Sequence, residues 1–143
     1  MTMPAVEVPD GAGGALRGPA DRRRLSGSAM RLFFNTAEFL GLTVDERRAV
    51  LGDISAATYH NWRRNPGAVV LTRDQLERVS LLLGVLKGLR LVFADDAIAL
   101  HWLRADNTDV PFIGRSPLAV MIAGGMLDLF SVRRYLDAWR GVR

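Results

Sequence analysis

Ala105-Asp106-Asn107-Thr108-Asp109-Val110-Pro111-Phe112-Ile113-Gly114-Arg115-Ser116-Pro117-Leu118 is a polar, proline-bearing loop that runs into a helix start. Ser116 is placed to cap the backbone N–H groups of the next turn, and Pro117 takes the first helical position, where its missing donor costs nothing. Leu118-Ala119-Val120-Met121-Ile122 follows, apolar on every side, and predicts a short buried helix over residues 117–123. Gly124-Gly125 is a stop. Beyond it, residues 126–139 carry Leu129, Val132, Leu136 and Trp139 on one helical face, with Asp128, Arg133, Arg134, Asp137 and Arg140 elsewhere. The stretch is thus the joint of a helical hairpin.

Upstream, the same rules predict helices only. Ala29, Phe33, Ala37 and Leu40 recur at helical spacing over 28–40, and Gly41 ends them. Thr43 with Glu46 makes a capping box for a helix over 44–51, with Val50 and Leu51 inward and Arg47 and Arg48 outward. Ser55 caps a third helix over 56–64, closed by Asn65-Pro66-Gly67. These two short helices and their glycine-containing turn form a helix-turn-helix pattern. Thr72 with Gln75 opens the longest helix, 73–92, whose stripe is Leu76, Val79, Leu83 and Leu86. Leu81, Leu82, Val85 and Leu89 make it apolar on further faces, which suits a central helix and leaves open a face for a second subunit. A fifth helix spans 95–104, with Ile98, Leu100, Trp102 and Leu103 supplying bulk.

No stretch alternates as a strand does, so the fold class is all-α, with about seven helices. A helix-turn-helix bundle over 28–92 is expected to pack on a helical domain over 93–143, after a flexible Gly/Pro/Ala leader over 1–27. The chain of 143 residues is 49% hydrophobic, enough for an ordinary core. It has no cysteine, which excludes disulfides and thiolate metal sites and suits a reducing cytoplasm. No run is long enough to cross a bilayer. The net charge is +4 and Lys87 is the only lysine, so the cations are planar guanidiniums suited to phosphate and carboxylate.

Where chemistry is sought, two surfaces stand out. The third helix offers Asn61 for adenine and Arg63 or Arg64 for guanine or phosphate in a major groove; equally, such a bundle corner occurs without DNA. Tyr59 and Trp62 are spaced to pack this helix on the first two. The last helix is rich in Arg, Tyr and Trp, the composition of an interface, though also that of a solvated face. Arg22-Arg23-Arg24 reads as a solvated tail or as a phosphate-gripping arm. His60 reads as a surface histidine and His101 as one packed beside Trp102, since neither has further ligands at metal-binding spacing. A phosphate loop, a nucleophile elbow and paired carboxylates are all missing, so no cofactor and no enzyme activity are expected.

Trp102-Leu103, Asn107, Pro111-Phe112, Gly114, Ser116-Pro117-Leu118, Met121, Gly124 and Asp128-Leu129 through Val132-Arg133-Arg134-Tyr135-Leu136-Asp137-Ala138-Trp139-Arg140-Gly141 resemble the toxin-binding domain of the Xre/MbcA/ParS antitoxins. Thr58-Tyr59-His60-Asn61-Trp62-Arg63 and the helices before it resemble the Xre-like helix-turn-helix domain of that family. The resemblance implies a type II antitoxin, dimeric within a larger complex, whose partners are a RES-domain toxin that consumes NAD or uses it for ADP-ribosylation, and its own operator DNA. It implies DNA-facing residues Ser55, Ala57, Thr58, His60, Asn61, Arg63 and Arg64, and toxin-facing residues Arg115, Arg133, Arg134, Tyr135, Trp139, Arg140 and Arg143. The implied mechanism is occlusion, a positively charged terminus competing for a pocket built for an anionic dinucleotide. The alternative is a helix-turn-helix repressor whose second domain only dimerises or senses a ligand.

Overall fold

Capping chemistry places most of the elements. The computed structural model describes residues 18–141, with side chains through Trp139. Its described residues form seven α-helices and one 3-10 turn: α1 (Pro19–Leu40), α2 (Val44–Val50), α3 (Ala56–Arg64), the 3-10 turn Pro66–Ala68, α4 (Arg73–Val92), α5 (Asp96–Arg104), α6 (Pro117–Ala123) and α7 (Met126–Gly141). The all-α reading holds, and the only pairing of strand type among these residues is an isolated bridge between Asn107 and Arg115. The chain divides into two compact units inside α4, one ending at Leu83 and the other beginning at Gly84.

In the first unit, α1 starts at Pro19, not at Ser28 as its apolar spacing suggests. Residues 19–27 are therefore helix rather than leader; the rest of the expected leader lies outside the described residues. Pro19 sits at the first helical position after extended Gly18, and Asp21 lies in the first turn, where its charge suits the helix dipole and pairs with Arg24. The buried face there is made of small residues that carry no hydrophobic signal. Ser26 is fully buried, and its hydroxyl accepts from the Leu71 N–H at 2.9 Å, tying α1 to the approach to α4. Gly27 lies against Gly67, so close that a Cβ would meet the Gly67 carbonyl oxygen at 3.1 Å. Met30, Phe33, Phe34, Ala37 and Leu40 continue that face into the core.

Gly41, at φ 67°, ends α1 in the left-handed conformation that costs glycine little. The Thr43/Glu46 capping box forms in both directions, at 2.9 and 3.1 Å, and so does the Thr72/Gln75 box that opens α4. Of the α4 stripe, Leu76, Val79, Leu83 and Leu86 are buried, as are Leu82, Val85 and Leu89.

In the second unit, Ser116 accepts from the Ala119 N–H at 3.0 Å and starts α6 as expected. Asp95 caps α5 instead of opening it. Leu118, Val120, Met121, Leu129, Val132 and Leu136 are buried. Three expectations fail. Ile98 is 57% exposed and Trp139 37% exposed, because α5 and the end of α7 turn one apolar residue each away from the helices that cover their neighbours. His101 is likewise exposed. The packing of α7 on α4 depends on two glycines one turn apart. A Cβ at Gly84 would lie 2.6 Å from the Arg133 Nε, and one at Gly88 would lie 2.9 Å from the Cβ of Leu136.

This predicts unequal responses at the two glycines. Gly88→Ala presses on the rigid base of a buried leucine, and overpacking of about 1–3 kcal/mol outweighs the roughly 1 kcal/mol gained in helix propensity. Gly84→Ala meets only a movable guanidinium and is expected to be near neutral. Urea unfolding of both variants checks this; equal stability changes would show that Leu136 is not the tight contact.

Candidate functional site

Two surfaces carry the candidate residues, one in each unit. The first is α3 and the corner that holds it. Ser55 caps the helix by accepting from the Thr58 N–H at 3.0 Å, and its hydroxyl also donates to the Thr58 Oγ1 at 2.9 Å. Tyr59 is buried, in edge contact with Phe34 at 5.9 Å, as its spacing predicts; Trp62 is half-buried. The corner turns through Gly52 (φ 92°) and Asp53 (φ 60°).

Arg47 and Arg48 do not point outward as expected. Arg47 is buried and donates from Nε to the Leu42 carbonyl at 2.9 Å and from Nη1 to the Tyr59 hydroxyl at 3.2 Å, with Glu38 at 3.7 Å. Arg48 donates to the Ile54 carbonyl at 2.8 Å. Both satisfy carbonyls that the sharp turns leave outside any helix ladder, a demand that periodicity does not reveal.

Of the candidates on α3, Ala57, His60, Asn61, Arg63 and Arg64 are exposed, Ser55 is exposed but engaged as the cap, and Thr58 is half-buried. Arg64 donates to the Asn61 side-chain oxygen, so these two polar groups lie together. The Arg63 guanidinium stands 5.0 Å from the Phe34 ring centre, and His60 makes an edge contact with Tyr59.

The second surface is built by the 105–116 loop and α7. Asn107 and Gly114 close the loop, with the Gly114 N–H bonded to the Asn107 carbonyl at 2.8 Å and the Asn107 N–H to the Arg115 carbonyl at 3.1 Å. Inside it, Asp109 receives the Phe112 and Ile113 N–H groups on its carbonyl. Phe112 is thereby turned inward and buried, while Val110 and Ile113 are exposed. Phe112 joins Phe93, Trp102, Tyr135 and Trp139 in a cluster of five rings. Trp102 stacks on Tyr135 (5.9 Å, 19° between planes), and Tyr135 meets Phe112 edge-on at 4.9 Å. Trp139 meets Phe93 at 5.4 Å and Tyr135 at 6.0 Å.

The Tyr135 hydroxyl donates to the Asp109 carboxylate at 2.7 Å, pinning loop to helix. Burial, then the bond to Asp109 and the repulsion from its charge, push the phenol from 10.0 up to about 12, against an opposing hydrogen bond from Asn107. Beside it lies an open hollow of about 520 Å³, lined by Trp102, Asn107, Asp109, Tyr135, Ala138 and Trp139.

The structure brings Tyr135 and Trp139 together here. Arg115 is exposed and donates to the Ala119 carbonyl at 3.1 Å. Arg133 is half-buried across Gly84 and pairs with Asp137 at 3.6 Å, a packing role. Arg134 is exposed. Arg140 lies in α7 with its side chain outside the described residues, and Arg143 lies outside them altogether. Sequence reasoning missed Leu127 (80% exposed) and Phe130 (46%), which stand off the Leu129, Val132, Leu136 stripe; their place off that stripe was the available signal. It also missed Asp109. Among the described residues no group of three His, Cys, Asp or Glu side chains is placed to hold a metal ion, and no helix is long and apolar enough to cross a membrane.

Residues 19–84 match the antitoxin Xre-like helix-turn-helix domain, and residues 88–141 match the antitoxin Xre/MbcA/ParS C-terminal toxin-binding domain. The chain is also similar to the uncharacterized protein y4oB of Sinorhizobium fredii, 35% identical over 112 residues that cover 78% of this chain and 84% of that protein. The chain therefore belongs to the antitoxin family that joins these two domains.

The Tyr135–Asp109 bond has a signature in pH. The folded phenol keeps its proton up to about 12, whereas in the unfolded chain it ionises near 10.0. Its contribution to stability is thus complete below the lower value and is lost as pH rises towards the higher one. Carbon-13 NMR of the ring of Tyr135 is expected to show this late titration, and Asp109→Asn, which removes the charge but keeps an acceptor, to bring it down. A Tyr135 signal titrating at the ordinary value would refute the contact.

Proposed function

We propose that this protein is the antitoxin of a two-gene system, neutralising a RES-domain, NAD-consuming toxin by covering its active site and binding its own operator through α3. The carrying observation is the succession, on one chain, of a helix-turn-helix domain and a toxin-binding domain. Each presents exposed side chains. On α3, His60, Asn61, Arg63 and Arg64 are exposed on a helix whose other side holds buried Tyr59. Asn and Arg are the side chains that read adenine and guanine edges bidentately, and a corner held by Arg47 and Arg48 presents them at a fixed angle.

On α7, Leu127, Phe130, Arg134 and Trp139 offer two aliphatic or aromatic anchors, a cation and an indole edge. Buried aromatic anchors surrounded by polar groups supply most of the energy of protein interfaces. Two copies of the helix-turn-helix would read two operator half-sites, which suits a dimer within a larger complex, located with its toxin in the cytoplasm.

Co-expression with the RES-domain protein encoded beside this gene tests the first half. Wild type is expected to restore growth and cellular NAD, and Phe130→Asp with Arg134→Glu to lose that rescue while remaining folded. No rescue by the wild type would sink the proposal. Gel shifts on the gene's own upstream DNA test the second half: binding is expected to fall steeply with salt, and Asn61→Ala or Arg64→Ala to cost about tenfold. Salt-insensitive binding, or none, would leave α3 without this role.

A further inference from the structure

The hollow beside Tyr135 combines aromatic rings with a carboxylate and an amide. The exposed cations Arg104, Arg115 and Arg134 surround it in sequence, yet its lining has none. Its polar members are the Asp109 carboxylate and the Asn107 amide, and the others are Trp102, Tyr135, Trp139 and the Ala138 methyl. The Tyr135 hydroxyl donates to the Asp109 carboxylate at 2.7 Å, so the rings stand directly beside that carboxylate.

Aromatic faces attract cations through their quadrupole, and a planar guanidinium does best, because it can lie on a ring while its edge meets a carboxylate or amide oxygen. A lysine ammonium would keep its water in so open a site.

We infer that this hollow is a receptor for one arginine side chain of the toxin, stacked against Trp139 and Tyr135 and held by the Asp109 carboxylate. The inference rests on the toxin reading above and refines it. A pocket that accepts an anionic dinucleotide is expected to be bordered by cations, and an arginine among them would find in this hollow a carboxylate and aromatic faces. The hollow sets a carboxylate beside aromatic faces, the combination complementary to a guanidinium. It lies at the start of the loop that Ser116 anchors and on the helix that carries Leu127 and Phe130, so an apolar contact and an arginine contact would share one rigid support.

Two measurements on the full chain test this. In the first, N-acetyl-arginine methylamide is titrated while the indole N–H signals are followed by NMR. Saturable shifts are expected at Trp102 and Trp139 and not at Trp62, which lies in the other unit. The uncharged citrulline analogue is expected to give none. Asp109→Asn, which can still accept from Tyr135, is expected to weaken binding about tenfold through loss of the charge-assisted bond. Shifts of equal size with citrulline, or no saturation with arginine, overturn the inference.

The second measurement compares complex formation with the toxin for wild type, Asp109→Asn and, as a control on exposed charge, Asp106→Asn. A loss of about tenfold confined to Asp109→Asn supports the inference. Equal binding by all three overturns it while the toxin reading stands. Failure of the wild type to bind overturns the toxin reading, and the arginine titration then decides the hollow alone.

Discussion

A guanidinium taken out of water governs the first unit. Arg47 meets the Leu42 carbonyl, the Tyr59 hydroxyl and the Glu38 carboxylate from a buried position, so it joins the end of α1 to α3 across α2. A buried charge is tolerated only where its donors are met, and these three partners occupy fixed places on three segments. The direction of α3 is therefore coupled to the exit of α1. Arg48 adds a second tie by closing the turn at Ile54. The face that α3 offers to solvent inherits its orientation from these bonds rather than from helix propensity, which is weak over nine residues.

The second unit solves the same problem with rings. A short loop with exposed Val110 and Ile113 would cost backbone order without return, were it not that Phe112 sinks into the five-ring cluster and the Asp109 carboxylate accepts a hydrogen bond from the Tyr135 hydroxyl. One hydrogen bond and a set of edge-on ring contacts then make the loop part of α7. The consequence for function is a hollow with charge on a rigid rim. Arg133, which the resemblance implies among the toxin-facing arginines, covers Gly84 and pairs with Asp137.

Most helix boundaries were readable because caps are local chemistry. Thr43 with Glu46, Ser55, Thr72 with Gln75, and Ser116 with Pro117 each satisfy orphan N–H groups within one turn of sequence, and α2, α3, α4 and α6 begin where they direct. The beginning of α1 was not readable. Its buried face is Ser26 and Gly27, whose burial depends on Leu71 and Gly67, about forty residues away in the chain. The candidate residues on α3 were legible as a polar face, but neither the pairing of Asn61 with Arg64 nor the lean of Arg63 on Phe34 was.

The sequence by itself determined the class of the fold, the order of its helices and the stripes that face inward, because periodicity and capping act over a few residues. It also carried, in the run from Trp102 to Gly141, the motifs of the toxin-binding domain. Only the tertiary structure decided which polar groups are taken up by other segments of the fold and which stay exposed. Arg47, Arg48 and Arg133 look in sequence like Arg64 and Arg134, and what separates them is whether another segment brings a carbonyl, a carboxylate or a bare glycine within reach. Asp109 likewise became a candidate only when the fold set it beside Tyr135, twenty-six positions away, since a charge acquires its role from neighbours that chain order does not reveal.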